Sequence, residues 1–237
     1  PGRDTLKDWG LSHRFAGSGD RAALAGLVYD ALRRRASSVH VMGDPSPRAI
    51  LLGMLRLERK FEADAIAALA NGERFAPQPL SAQEQTRLAV PDLEGAPPWV
   101  AGDYPEWLDP YLARVFGADR AAEGAALASR APLDLRVNDI KGDRDEAAAL
   151  LADLNPAPTR WSPFGLRIAL EAGAKNPAIH AEPAFIKGMI EVQDEGSQLA
   201  ALLAGPKPGE HVVDLCAGAG GKTLALAAAM QNHGQLY

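Results

Sequence analysis

Residues Cys216 to Thr223, C-A-G-A-G-G-K-T, bring a thiol, three glycines, a lysine and a hydroxyl together between two runs of different character. Before them stand Val212 and Val213, apolar and β-branched, which fit a buried parallel strand. After them Lys222 to Met230 are strong helix formers. Strand, glycine-rich turn and helix in that order aim unpaired backbone N–H groups and the positive end of a helix dipole at one point. The chemistry suited to that point is capture of a phosphate or a carboxylate. Asp214, at the strand end, reads as a carboxylate that orders the turn.

Three ligands carry such an anion: a dinucleotide, a nucleoside triphosphate and S-adenosylmethionine. The dinucleotide fingerprint G-x-G-x-x-G is begun by Gly218 and Gly220, but its third glycine falls on Thr223. The P-loop G-x-x-x-x-G-K-[ST] matches at Gly221, Lys222 and Thr223 and demands glycine where Cys216 stands. A nucleotide hydrolase therefore stays open as the weaker reading. Cys216 near a helix N-terminus is also a candidate nucleophile, because that position acidifies a thiol.

The elements that must position this turn come before it. Leu24, Leu27, Val28, Ala31 and Leu32 have amphipathic-helix spacing, with Arg33, Arg34 and Arg35 at the helix end. A second helix starts at Ser46 and Pro47 with Ile50, Leu51, Met54 and Leu55 on one face. A third, "EADAIAALANG", is closed by Asn71 and Gly72, and Ser81 with Glu84 has capping-box spacing for a fourth. Pro91, Pro97, Pro98 and Pro105 break regular structure over about 90–105. Trp107, Leu108, Leu112, Val115 and Phe116 then make an apolar stripe ending at Gly117, and "DRAAEGAALASR" continues the helical layer. Trp99 and Trp107 are expected to pack. From Leu133 the period changes: "LDLRV", "LRIAL" and "GMIEV" read as strands, Asp143 and Glu146 start a helix, and another spans Glu195 to Leu203 behind Gln193 and Asp194. These form a small α+β layer.

Composition sets outer limits. The 237 residues carry a net charge of -5 and are 47% hydrophobic, an ordinary globular profile. No apolar run approaches the roughly 20 residues that cross a bilayer, and the first residues lack a signal-peptide core, so a cytoplasmic location and no membrane partner are expected. The single cysteine rules out an internal disulfide and a thiolate zinc cluster, and no metal is expected. Between residues 33 and 60, Arg33, Arg34, Arg35, Arg48, Arg56, Arg59 and Lys60 outweigh Asp44 and Glu58. That surplus is either a solvated helix face or an RNA-facing patch.

"VVDLCAGAGGKT" resembles the first motif of the RsmB/Sun-type RNA (cytosine-C5) methyltransferases, V-L-D-x-C-A-A-P-G-G-K-T. "VQDEGSQLAALL" is similar to the family's Q-D-x-[AS]-S-Q-L segment, "LDLRVN" to its L-R-V-N strand, and "GSGDRAALAGLVYDALRRR" to the NusB-like domain of bacterial members. Gly218 and Ala219 depart from the usual alanine and proline. The resemblance implies a multidomain chain: an all-α NusB-like helical domain with its proline-rich connector at 1–128, a small α+β (ferredoxin/RRM-like) RNA-positioning domain at 129–192, and the start of a Rossmann-like α/β methyltransferase domain at 193–237. It implies S-adenosylmethionine along Cys216, Ala217, Gly218, Ala219, Gly220, Gly221 and Lys222. It implies RNA, ribosomal by resemblance, as substrate for a 5-methylcytosine-forming, monomeric enzyme, with Arg33, Arg34, Arg35 and Arg136 as candidate RNA contacts. The family attacks cytosine with thiols of later P-C-S-G and T-C-S motifs, absent here, so Cys216 becomes a cofactor-lining residue and no catalytic residue is assigned. The chain is then expected to stop early in its catalytic domain. The rival class is a non-catalytic RNA-binding module with a degenerate methyltransferase start.

Overall fold

The computed structural model describes residues 2–170 and 176–237. It forms two compact units, one running to Arg130 and one from Ala131 to Tyr237. Among the described residues no helix is long and apolar enough to cross a membrane.

The first unit is helical: α1 (Gly2–Ser12), α2 (Ser18–Arg33), α3 (Arg35–Met42), α4 (Pro47–Leu57), α5 (Ala63–Leu69), α6 (Ala82–Ala89), the single turn α7 (Pro98–Ala101), α8 (Asp109–Phe116) and α9 (Arg120–Ala128). Local chemistry sets several of these boundaries. Ser46 Oγ accepts the Ala49 N–H ahead of α4, with Pro47 in the first turn, and the Ser81–Glu84 box of α6 closes in both directions. The core gathers Val41, Met42, Ala49, Leu52, Ile66, Ala70, Leu80 and Leu88.

Three expectations are corrected here. The buried face of α4 is Ala49, Leu52, Gly53 and Met54 rather than the stripe through Ile50, Leu51 and Leu55. Its partner α3, which has no apolar periodicity to announce it, crosses so closely that a Cβ on Gly53 would lie 2.7 Å from Ser38 Cβ. The stripe of α8 is not a core face, for no residue of α8 is buried and Trp107 and Val115 are 69% and 68% exposed. Its neighbour α9 is mostly alanine and covers little area. The proline-rich connector is not wholly irregular, because Pro98 fits the first position of α7.

The second unit is built on an antiparallel sheet in the order β2 (Ala157–Pro158), β3 (Gly165–Ile168), β1 (Leu133–Val137), β4 (Ile190–Val192). In β1 the pleat separates two chemistries. Leu135 and Val137 join a core with Ala147, Leu151, Leu166, Ile168, Ile179, Met189 and Ile190, which α10 (Arg144–Leu150) and the short α11 (Pro183–Ile186) help to close. Asp134 and Arg136 alternate with them and bond toward the segment that opens α12 (Glu195–Ala204). Pro158 sits on the edge strand, where its missing N–H costs no ladder bond. Last come β5 (His211–Val212), α13 (Gly221–Ala229) and β6 (Gln235–Leu236), with β5 and β6 paired in parallel and α13 packed on α12. Val213 is 62% exposed, contrary to a buried strand, because a two-residue ladder leaves the segment after β5 largely uncovered.

Candidate functional site

The turn between β5 and α13 is held from one end by a single carboxylate. Asp214 Oδ1 accepts the Cys216 N–H at 3.1 Å and Oδ2 accepts the Thr223 hydroxyl at 2.7 Å. One side chain therefore clasps the entrance of the turn to the first turn of the helix. Between these points Gly218 and Gly220 take positive φ values of 55° and 91°, a region that favours glycine, and Gly220 N–H closes on Ala217 O at 2.7 Å. Leu224 N–H is the first to bond back along the helix, to Gly220 O at 2.8 Å. The N–H groups of Gly221, Lys222 and Thr223 have no protein acceptor among the described residues. Residues 215–219, Cys216 included, face solvent, so the turn is backed on one side and open on the other.

The back wall is Gln193. Its side-chain carbon comes within 3.7 Å of where a Cβ on Gly221 would stand, its Oε1 accepts from Arg136 Nε at 2.7 Å, and its Nε2 donates to Ser197 Oγ at 3.4 Å. Asp194 caps α12 by accepting from the Gly196 and Ser197 amides. Gln198, fully buried, accepts the Ser162 hydroxyl at 2.7 Å and donates to Gln193 O at 2.8 Å. The turn thus rests on a side-chain chain that starts in β1.

A second polar cluster, missed from sequence, locks the same helix to the sheet. Arg167 forks onto Asp134 with two 2.7 Å bonds, Asp134 accepts the Glu195 N–H at 3.1 Å, and Glu195 Oε1 accepts the Trp161 and Ser162 amides at 2.5 and 2.9 Å. Burial alone would raise the Glu195 carboxyl, but the Ser162 and Trp161 amides, the Thr159 hydroxyl and Arg167 together hold it below the ordinary carboxylate range. The available signal was two charged residues on one face of a strand otherwise reading as core.

The four candidate RNA contacts are placed very differently. Arg33 pairs with Asp30, Arg34 Nε lies 2.6 Å from Glu58 Oε2 with Asp103 beyond it, and Arg35 is exposed. Arg136 is buried under α12 and α13, and burial pulls its pKa below the usual arginine value. The basic window is largely neutralised by carboxylates outside it, since Arg59 pairs with Asp30, Arg48 with Glu84 and Arg56 with Glu62. A cavity of about 630 Å³ in the first unit, bordered by Arg35, His40, Trp99 and Pro105, has no wall in common with the glycine turn. Among the described residues no three His, Cys, Asp or Glu side chains gather as a metal site.

No family model matches the chain. It is 37% identical over 135 residues to a probable ribosomal RNA small subunit methyltransferase B of Synechocystis, covering 56% of this chain and 30% of that protein. Against ribosomal RNA small subunit methyltransferase B of Escherichia coli the figures are 34% over 120 residues, 51% and 27%. The chain therefore spans less than a third of the length of these curated relatives. Among solved structures, PH0851 superposes with a TM-score of 0.61 over 98% of this chain and 57% of its own, at 23% identity, which speaks to the fold. A methyltransferase homolog protein from Pyrococcus horikoshii gives 0.50 at 26% identity, over 59% of this chain and 45% of its own. NSun6 from the same organism, solved with SFG, gives 0.50 at 17% over 56% and 57%.

Proposed function

We propose that this chain, a homologue of the bacterial ribosomal RNA small subunit methyltransferase B proteins, belongs to an S-adenosylmethionine-dependent enzyme that methylates C5 of a cytosine in ribosomal RNA. On this reading the helical unit is the NusB-like domain, the antiparallel sheet is the RRM-like RNA-positioning layer, and β5, α13 and β6 open the Rossmann-like sheet. The observation that carries it is the turn itself. Three adjacent amides without protein acceptors, two left-handed glycines and Lys222 at the start of α13 fit a carboxylate, and the open front leaves room for the rest of a large cofactor. Cys216, Ala217, Gly218, Ala219, Gly220, Gly221 and Lys222 would line it, mainly through backbone. When bound, the cofactor supplies an electrophilic methyl group. NSun6, a fold neighbour, was solved with SFG, an S-adenosylmethionine analogue, which agrees with this ligand.

Cys216 serves this site as lining rather than as nucleophile. Its N–H is tied to Asp214, and it sits inside the motif that resembles the family's cofactor turn. Arg35, the solvent-facing member of the arginine run, is the RNA contact assigned to the helical unit.

Isothermal titration of the chain with S-adenosylmethionine, and separately with ATP and magnesium, tests the reading. Binding of the first, weakened roughly tenfold by Lys222→Ala as expected for loss of a charge-assisted hydrogen bond, supports it. Binding of ATP alone, abolished by the same substitution, would transfer the turn to the P-loop reading.

A further inference from the structure

Arg136 stands apart from the other arginines of the molecule. Arg34, Arg48, Arg59, Arg120 and Arg167 each hold a carboxylate at hydrogen-bond distance. Arg136 is only 4% exposed, the one fully buried arginine among the described residues, and no carboxylate lies within 4.0 Å of it. Its single side-chain bond runs from Nε to Gln193. A guanidinium carries five N–H donors, so both Nη groups are left without a protein acceptor among the described residues. Neither Nη is among the fully buried unpartnered atoms, so this end of the side chain stays open to a polar group from outside the chain.

The unsatisfied end is not sealed. Arg136 borders a cavity of about 280 Å³ together with Asn138, Lys141, Gly188, Glu191 and Asn232, with Leu224, Ala227 and Ala228 of α13 on the far side. Two cations face one carboxylate there, so the cavity favours an anion. Lys141 spends one N–H on Lys187 O at 2.8 Å and keeps the others. Gly188, at φ 68°, admits the lysine, because a Cβ there would sit 3.0 Å from Nζ. Asn138 is pinned by Gly188 O and the Ile140 N–H, which holds the loops beside the cavity in register. A neighbouring space of about 170 Å³, which Arg136 shares with Asp139, is charge-balanced and lacks that bias.

We propose that Arg136, with Lys141 and Asn232 across the cavity, binds a backbone phosphate of the RNA substrate. The forked guanidinium matches two phosphate oxygens, and a phosphodiester supplies a directly bonded anion where Glu191 and Asp139 act only at longer range. The site reads no base; it fixes the strand's register relative to the sheet. The assignment rests on the methyltransferase reading for the identity of the nucleic acid, while the anion chemistry stands on the cavity.

The test is fluorescence anisotropy of the chain with labelled single-stranded RNA over a salt series, for the wild type, Arg136→Gln and Lys141→Gln, alongside thermal shifts with inorganic phosphate. Each substitution is expected to raise the RNA Kd about tenfold and to reduce the slope of log K against log salt by roughly 0.7, the value of one single-strand phosphate contact. Inorganic phosphate should raise the melting temperature of the wild type and not of Arg136→Gln. Unchanged affinity and slope in Lys141→Gln, an exposed position that need not disturb folding, would overturn the inference whether or not Arg136→Gln folds. Phosphate protection through Arg136 with no RNA binding would overturn the RNA assignment and leave a site for a free anion. Failure of S-adenosylmethionine binding strikes the methyltransferase reading instead and leaves these outcomes legible.

Discussion

The clasp of Asp214 on Thr223 is the contact on which the geometry of the turn depends, and its strength can be worked out. The Thr223 hydroxyl donates to Oδ2 at 2.7 Å, and both residues are half-buried. A hydrogen bond to a charged acceptor contributes about 1.5 to 3 kcal/mol, and partial exposure argues for the low end or a little under it, about 1 kcal/mol. Thr223→Val keeps the shape of the side chain and removes only this bond. Asp214→Ala removes it together with the Cys216 N–H bond at 3.1 Å, for about 2 kcal/mol in all. Both act first on local opening of the α13 start rather than on global unfolding. Amide hydrogen exchange at Leu224 to Leu226, under conditions where exchange follows the opening equilibrium, should therefore quicken about fivefold in Thr223→Val and about thirtyfold in Asp214→Ala. The double variant should match Asp214→Ala alone, because the hydroxyl then has no acceptor left to lose. If the double variant adds a further fivefold, Thr223 acts through something other than this carboxylate and the clasp is wrong.

Other outcomes follow from the same geometry. Gly53→Ala places a methyl 2.7 Å from Ser38 Cβ and 2.8 Å from its Cα, and should lower stability by about 2 kcal/mol, read from the urea midpoint. Gly220→Ala meets no atom within 4 Å, so its cost is conformational, about 1 to 2 kcal/mol for an L-residue at φ 91°; it should weaken S-adenosylmethionine binding by titration while leaving the far-ultraviolet circular dichroism unchanged. The Glu195 carboxyl is held below its ordinary value, so the unfolded chain binds the extra proton: its stabilisation is complete above about pH 5 and fades as pH falls through the folded value. Glu195→Gln should therefore be less stable than the wild type at pH 7 and should lose less of what remains on acidification, as followed by urea melts across pH.

Local rules reached a good deal of this molecule. The caps at Ser46, Ser81, Asp143 and Asp194 each close as their spacing requires, because a capping bond joins residues only two or three apart. The strand, turn and helix around Gly220 were legible for the same reason, since glycine tolerance for positive φ is a property of one residue. What escaped was α1 and α3, which lack an apolar stripe, and β2, whose two residues leave no period to detect. The site's support escaped as well. Asp134, Ser162, Arg167 and Glu195 lie far apart in the chain, and nothing in their neighbours says that they meet.

By itself, then, the amino-acid sequence determined the character of the glycine-rich turn: its unpaired amides, its left-handed glycines and the lysine at the helix start follow from residues in direct succession. Only the tertiary structure decided what the charges do. It paired most of an apparent basic patch with Asp30, Glu58, Glu62, Glu84 and Asp103, left Trp107 in solvent, and buried Arg136 with one partner. The physical reason is range: backbone conformation is set within a few residues, whereas the worth of a charge depends on which opposite charge, or which cavity, the fold carries to within a few ångströms of it.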